Sequence, residues 1–540
     1  MASLRSAADA AGDAASRAAG RTVRRVLWPG ALVAAAGVPQ LLPIAHAEFL
    51  PGVTNPGLQQ QQERQQQQLE QTQPGVQREA APPLINAPTG GSTPDPGDDP
   101  ELLIQRVEVQ GARMISAERI KAVFAPLLST AANPRPVRFS QLQAALDTAS
   151  NLYRDKGFFT SRVLLPKGGY ANGVLTLVAV EGFIEEVEVI GRGSEGLKRW
   201  AQYYMQPLVS TAQQPRPIRF RQLERQLLLM QGFGGVQFRS TLVKSSSFSG
   251  SKLVLEMTPQ YFSGSVGLDN NVQPLLGDYE ATLQLQANVL KAPQPLQLNA
   301  YGTYAFPYPN GLSSGSLAMN TPLGNHGLRL VGLGSLTSTN SIGTPVAVGG
   351  PVINLTSSGE SWLGSMALRY PLLLSRNGSL GVSLAGEVQN TTNNNYLDGM
   401  LAISNPTRLR VLRLGFDGTL STPYYASSAN LQISQGLPIS NAFDAATLAQ
   451  TGGSLPSGSV SYTSSRLTLR HQQRLGGSNT FVTLTGSGQL TNDVLPSPED
   501  FAYGGPFLGR AYMLCLTRFV SRAAQRAAAE VNASSGPSAS

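Results

Sequence analysis

Ala281-Thr282-Leu283-Gln284-Leu285-Gln286-Ala287-Asn288-Val289 places every apolar residue on one parity and every polar residue on the other. A period of two belongs to a strand whose two faces meet different solvents. The alternation returns in Leu296-Gln297-Leu298-Asn299-Ala300, in Asn430-Leu431-Gln432-Ile433-Ser434, in Ser465-Arg466-Leu467-Thr468-Leu469-Arg470 and, with Phe481 out of phase, in Thr480-Phe481-Val482-Thr483-Leu484-Thr485. From Tyr261 to about Leu490, segments of about ten residues are split by clusters of Gly, Pro, Asn and Ser. That is the hydropathy of a transmembrane β-barrel, with apolar side chains toward lipid and polar ones toward a lumen.

Charged residues are only 14% of the 540-residue chain, well below the share in an ordinary soluble protein, as a lipid-facing surface requires. The 56 Gly and 37 Pro supply the many turns that short strands need. After Glu48 no unbroken apolar run is long enough for a helical span. The formal charge of +8 comes without a compact Lys/Arg run interleaved with aromatics, so no nucleic-acid partner is expected. Cys515 stands alone, which excludes an internal disulfide framework. His46, His326 and His471 have no Cys, Asp or Glu at ligand spacing, so the expectation is no metal, no cofactor, no catalytic residue and no enzyme. Asp417 shares a parity with Arg413 and should face the lumen, as a pore-lining charge or in a local ion pair.

At the N-terminus, Arg21, Arg24 and Arg25 precede an apolar stretch, Val26 to Ile44, that ends at Ala45-His46-Ala47. A small-x-small cleavage site in that place predicts a signal peptide over 1–47, and Pro29, Pro39 and Pro43 argue against a membrane anchor. Arg24-Arg25 also hints at a twin-arginine signal, which conflicts with the need of a barrel to cross the inner membrane unfolded. Residues 48–73 include the Gln-rich run Gly57 to Gln73, built from good helix formers without an apolar face. It reads either as a helix in polar surroundings or as a disordered tract. The Pro-rich stretch 74–100 is an extended linker.

From 101 to 260 the chain repeats itself at a period of about eighty residues. Ser129-Thr130-Ala131-Ala132-Asn133-Pro134-Arg135-Pro136-Val137-Arg138-Phe139-Ser140-Gln141-Leu142 returns as Ser210-Thr211-Ala212-Gln213-Gln214-Pro215-Arg216-Pro217-Ile218-Arg219-Phe220-Arg221-Gln222-Leu223. Two copies of one small domain, 101–182 and 183–260, therefore sit in tandem. In the first, a strand ending at Gly111 is followed by helices over about Ser116 to Leu128 and Phe139 to Lys156. The second helix should bury Leu142, Ala145, Leu146, Ala149 and Tyr153. Strands at Ser161 to Pro166 and Val174 to Val180 close the copy, giving the order β-α-α-β-β.

The residues Tyr153-Arg154-Asp155-Lys156-Gly157-Phe158-Phe159, Val163-Leu164-Leu165-Pro166, Gly173-Val174-Leu175-Thr176-Leu177 and Glu181-Gly182 resemble the POTRA (polypeptide-transport-associated) domain of two-partner secretion transporters, the haemolysin activator and filamentous haemagglutinin transporter family. The resemblance implies an all-β transmembrane barrel over 261–512 preceded by two small α/β POTRA domains in the periplasm. It makes residues 48–73 a plug helix in the barrel lumen. Near Phe501 to Tyr512 the chain is similar to the family's inward-folding loop motif, with Gly509, Arg510 and Tyr512 on the matching positions and Ala511 in place of a glycine.

The implied function is export of a large β-helical exoprotein, with outer-membrane lipid and the barrel assembly machinery as the other partners. Extended substrate would be captured by β-augmentation on the POTRA edge strands, at Ser161, Arg162, Val163, Leu164 and Leu165 and at Val236, Gln237, Phe238 and Arg239. Alternatives are an assembly factor of the same superfamily, an inactive copy and a passive porin, although a porin would lack the repeat. About eleven period-2 segments precede Arg510, fewer than the resemblance implies, and 513–540 has no alternation. The reading is therefore a barrel incomplete at the C-terminus, followed by a tail outside the family pattern.

Removing Gly57 to Gln73 should raise the ion conductance of the barrel in planar bilayers. Unchanged conductance would return this run to the disordered-tract reading.

Overall fold

In the computed structural model of the chain the described residues are 99–130, 134–233, 235–270, 272, 274–290, 294–308, 310–347, 352–443, 459–476, 480–499, 502–503 and 515–516. The expected signal peptide, plug helix, most of the linker and all of the tail but Cys515 and Leu516 lie outside them.

In the first copy, β1 (Glu101–Leu102) and β2 (Arg106–Gln110) precede helix α1 (Ala117–Phe124), which ends in a short 3-10 turn. Next come β3 (Val137–Arg138), α2 (Phe139–Asp155), β4 (Arg162–Leu164), β5 (Tyr170–Ala171) and β6 (Val174–Val180). The sheet order is β2-β6-β4, with β2 and β6 parallel and β4 antiparallel to β6. The second copy repeats it as β7 (Phe183–Gly191), α3 (Glu195–Met205), α4 (Phe220–Gln231), β8 (Val236–Lys244) and β9 (Gly250–Pro259), in the order β7-β9-β8. Compared with the expected spans, α1 is shorter and β4 is reduced to three residues.

The repeated sequence makes repeated contacts. Ser129 Oγ accepts the Arg135 N–H at 3.0 Å, and Ser210 Oγ accepts that of Arg216 at 3.1 Å. Gln141 and Gln222 each reach back to the N–H of the arginine three residues earlier, both at 3.2 Å, which satisfies a free donor where α2 and α4 begin. On α2, Leu142, Leu146, Ala149 and Tyr153 are buried as the periodicity requires, while Ala145 is only partly so. Tyr153 donates to Glu181 Oε1 at 3.1 Å, and the same oxygen accepts the N–H groups of Arg113 and Met114 at 2.7 and 2.6 Å. Burial, reinforced by the Glu181 charge, raises the Tyr153 hydroxyl pKa well above the usual phenol range. Gly182 follows because a Cβ there would come within 2.6 Å of Thr160 Oγ1.

The barrel segment is one sheet with strands in chain order: β10 (Phe262–Asp269), β11 (Tyr279–Val289), β12 (Leu296–Phe306), β13 (Leu312–Pro322) and β14 (Arg329–Asn340). After the short β15 (Thr344–Ala347), which among the described residues pairs only with β16, the path continues through β16 (Val352–Ser375), β17 (Gly378–Leu397), β18 (Met400–Ser421), β19 (Tyr425–Gly436), β20 (Thr463–Arg474) and β21 (Phe481–Thr491). Eleven strands lie on the path, all pairing antiparallel to their neighbours, and β10 and β21 are its two ends among the described residues. A separate pair, β22 (Ala502–Tyr503) and β23 (Cys515–Leu516), follows. Among the described residues no helix is long and apolar enough to cross a membrane.

Register keeps the two parities apart from strand to strand. Leu285 faces Ala300 on one side of the sheet and Gln286 faces Asn299 on the other. Leu283, Leu317, Leu336, Met366, Leu484 and Leu490 are exposed on the outer side, where lipid would cover them. The inner side is not uniformly polar, since Ala318, Leu333 and Leu363 form a small buried cluster there. Strands β16, β17 and β18 have 24, 20 and 22 residues, about twice what a tilted strand needs to span the hydrocarbon. Their far halves therefore project beyond the membrane.

Leu283 and Gln284 are adjacent on β11 but face opposite solvents, which gives a matched test. Leu283→Arg should cost about 2–4 kcal/mol of folding stability in lipid, whereas Gln284→Arg should cost little. Urea titration of heat-modifiable migration measures both.

Candidate functional site: domain edges, joint and lumen

Three features of the fold can act on a passing polypeptide. The first is the pair of POTRA edge strands. Of the five residues expected in the first edge, Arg162, Val163 and Leu164 form β4, while Ser161 and Leu165 lie just outside it. Ser161 is buried, and its Oγ accepts the Gly182 N–H at 3.1 Å. The Val163 N–H is also engaged: Ser150, on the buried stripe of α2, takes it on Oγ at 3.0 Å. A donor already satisfied gains nothing from an incoming strand. In the second copy β8 is an edge of nine residues, Val236–Lys244, that contains all four expected residues, and among the described residues it pairs only with β9. Val236 and Phe238 point into the core, and Gln237 and Arg239 point outward.

The second feature is the joint between the repeats and the barrel. Helix α4 presents three consecutive residues to the turns at the near end of the barrel. Glu224 accepts the Arg376 N–H at 3.2 Å, Arg225 donates to the Pro371 carbonyl at 2.8 Å, and Gln226 donates to the Asn325 carbonyl at 2.7 Å. From the barrel side Arg329, which is 4% exposed, donates to the carbonyls of Leu229 and Gly232, the latter at 2.5 Å. These carbonyls belong to the C-terminal turn of α4, where helix geometry leaves acceptors unpaired and the dipole favours a cation. Leu290, from a barrel turn, joins the hydrophobic core of the second copy. The first copy is tied to the second by its Gly157-Phe158-Phe159 run: the Gly157 carbonyl accepts the Phe220 N–H at 2.8 Å, Phe159 meets the Phe220 ring edge-on, and Arg219 lies over Phe158.

The third feature lies in the lumen. Arg413 on β18 grips two carboxylates with a fork each. Its Nε and one Nη reach Glu387 on β17 at 3.1 and 2.7 Å, and its two Nη atoms reach Glu499 at 3.2 and 2.7 Å. A further bond to Ser434 Oγ on β19, at 2.8 Å, uses the fifth guanidinium donor. The cluster is nearly dry, with side-chain exposures of 11% for Arg413 and 6% for each glutamate. Deleting Arg413 would leave two buried carboxylates without a counter-charge, at a cost of about 3–5 kcal/mol. Parity had placed Arg413 and Asp417 on the lumen side, but the partners of Arg413 are Glu387 and Glu499. Glu387 could have been found by its parity on β17. Glu499 could not, since it sits in a short 3-10 turn after β21 with no periodic signal. Gly509, Arg510 and Tyr512, the expected loop motif, lie outside the described residues. No cluster of three or more His, Cys, Asp or Glu suited to a metal is found among the described residues.

Known proteins share this fold. The family described as haemolysin secretion/activation protein ShlB/FhaC/HecB matches residues 249–507, and the ShlB-type POTRA domain matches residues 102–182. Together the two matches cover well over half of the chain. The chain belongs to the ShlB/FhaC/HecB family. It is a two-partner secretion family member of the outer membrane, with its POTRA domains in the periplasm.

Among curated relatives, the outer membrane transporter CdiB of Escherichia coli O6:K15:H31 is 22% identical over 71% of this chain and 61% of its own length. That of Dickeya dadantii is 23% identical over 66% and 60%. The chain thus spans about three fifths of the length of these relatives. Among solved structures, CdiB from Escherichia coli has a TM-score of 0.60 at 17% identity, covering 86% of this chain and 82% of its own. CdiB from Acinetobacter baumannii has a TM-score of 0.50 at 14% identity, with 86% and 83% covered. At these identities the structures speak for the fold. With the POTRA end periplasmic, the turns at 323–328 and 376–377 are periplasmic, and residues 437–443, 459–462 and 492–499 are extracellular.

Arg329→Met keeps the bulk of the side chain and removes its donors, so it should loosen the joint by about 1.5–3 kcal/mol per lost charge-assisted bond. Limited proteolysis should then cut between the POTRA domains and the barrel severalfold faster, with the barrel itself still heat-modifiable.

Proposed function

We propose that this family member exports a partner exoprotein across the outer membrane by two-partner secretion of the haemolysin and filamentous haemagglutinin type. It needs no cofactor and performs no enzymatic chemistry. The observation that carries this reading is the joint: the two POTRA domains are bolted by α4 and Arg329 to the periplasmic end of a barrel whose inner face is largely polar. An extended chain held at the POTRA domains is therefore held at the mouth of a wet passage. Capture is by β-augmentation, in which main-chain hydrogen bonds supply affinity without demanding a sequence.

Of the two candidate edges, β8 suits this role better. It is three times as long as β4, and β4 already has its Val163 donor committed to Ser150. A β-helical partner fits the mechanism, because such a protein is built from successive strands that can add to an edge while still extended. Insertion of the barrel falls to the barrel assembly machinery.

Deleting 101–260 should abolish export of the partner exoprotein, and continued export would sink the capture role. A photoreactive residue at Gln237 or Arg239 should cross-link the partner in the periplasm. At Arg162 the yield should be severalfold lower, and equal yields would put the β4 edge back in play.

A further inference from the structure

We propose that Arg408 and Arg410, on the outward face of β18, bind the phosphate groups of the glycolipid that forms the outer leaflet of the outer membrane. Such a site needs only the outer-membrane placement and stands whether or not the chain secretes a partner.

The depth of the membrane is written on β16. Its outward parity runs Trp362, Gly364, Met366, Leu368 and Tyr370, an apolar band between two aromatic residues. The interval 362–370 is the length of a tilted transmembrane strand, and aromatic rings mark both interfaces of a membrane barrel. Tyr370 is the ring nearer the periplasmic turn at 376–377, so Trp362 marks the extracellular border. Register carries that border to β18. Trp362 faces Asn390 on β17, and Asn390 faces Arg408. One row toward the periplasm, Gly364, Val388 and Arg410 are aligned in the same way. The next outward residues of β18 are Leu412, Leu414 and Phe416, so the change from apolar to cationic falls at the level of the Trp362 ring.

The two arginines break the rule that the other strands keep. Charged side chains such as Arg369, Glu387, Arg413 and Arg470 have inward parity, and among the described residues of β10 to β21 the outward parity holds only Arg408, Arg410 and Glu360. Glu360 stands one row further out, opposite Thr392, and forms no ion pair with either arginine. The Arg408 side chain is exposed and makes no hydrogen bond among the described residues. Arg410 turns its head toward the border, where one Nη donates to Asn390 Oδ1 at 3.0 Å and to the Leu409 carbonyl at 2.7 Å. A long stem along the apolar band with the charge lifted to the interface is how an arginine sits at a lipid edge.

Two cations about 7 Å apart on one strand face repel each other, and no carboxylate of the protein reaches them. What they lack is an anion at headgroup depth on the extracellular side. Phosphate supplies it with oxygens that match the guanidinium fork, and the outer-leaflet glycolipid carries phosphate at that depth. Beside the ring, Gly334 faces Gly364, and a Cβ at Gly334 or Gly386 would meet nothing within 4 Å. The arginines do the binding; the glycines only leave space for acyl chains. Bound glycolipid would brace β16, β17 and β18 where they leave the membrane.

The test purifies the full chain from outer membranes in a zwitterionic detergent and measures the lipopolysaccharide retained per chain. Arg408→Gln combined with Arg410→Gln should lower it severalfold, with assembly checked by heat-modifiable migration. Arg470→Gln removes a cation of inward parity and should leave retention unchanged. Retention by the double variant equal to that of the parent would overturn the site. So would an equal loss with Arg470→Gln, which would mean that net charge rather than place is responsible. If the double variant does not assemble, Arg408→Gln alone is read, because its side chain holds no bond in the protein, and unchanged retention there would overturn the site as well. In a last arm the delipidated parent is offered intact or dephosphorylated lipopolysaccharide. The dephosphorylated form should rebind severalfold more weakly, and equal rebinding would overturn phosphate recognition.

Discussion

Hydrocarbon offers no hydrogen bonds, and the barrel segment is organised around that deficit. Each backbone N–H and C=O at membrane depth has to find its partner within the protein. The antiparallel ladder supplies those partners from strand to strand along β10 to β21, with β15 adding four pairs to the first residues of β16. Once the ladder is set, the pleat decides the rest. One parity of side chains must tolerate lipid and the other must tolerate water, which is why Leu283 and Gln284 can be neighbours in sequence and strangers in environment. The same constraint pushes charges inward, where they must pair with one another.

Charge pairing inside the barrel is consequently local and specific. Arg413 spends all five of its donors on Glu387, Glu499 and Ser434. A lysine in that place would hold one point contact where the guanidinium holds two planar forks. The geometry ties four pieces of chain, β17, β18, β19 and the segment after β21, into one dry knot. At the opposite end Arg329 performs a related task with different acceptors, since helix carbonyls rather than carboxylates receive its donors. One arginine thus secures a periplasmic domain to the barrel and another secures an extracellular segment, each by satisfying acceptors that would otherwise be buried unpaired.

The POTRA pair illustrates how duplicated sequence need not mean duplicated capacity. Both copies use the same serine and glutamine contacts to start their second helix, and both put their second strand at a sheet edge. In the first copy, however, the edge is three residues long and Ser150 occupies its outward donor at Val163. In the second the edge is nine residues long, and its neighbouring helix is engaged with the barrel. Division of labour follows from these differences: the first copy packs through Phe158 and Phe159 on the second, and the second carries both the longer edge and the joint.

What the sequence determined by itself is whatever repeats or alternates. Period-2 runs such as Ala281 to Val289 announce a sheet between two solvents, the Ser129 and Ser210 runs announce tandem copies, and Leu142, Leu146, Ala149 and Tyr153 announce a helix face. Each of these signals is local, because neighbours along a strand or helix have fixed directions relative to one another. The meeting of Glu499 with Arg413, 86 residues apart, carries no such signal. Nor does the choice of Leu229 and Gly232 as acceptors for Arg329, or the placing of Ser150 against Val163. Those contacts depend on strand register, on the length of the segment after β21 and on how α4 docks, all of which are settled only when distant parts of the chain share one space. Tertiary structure alone decided them, because a hydrogen bond is specified by position in three dimensions and not by order along the backbone.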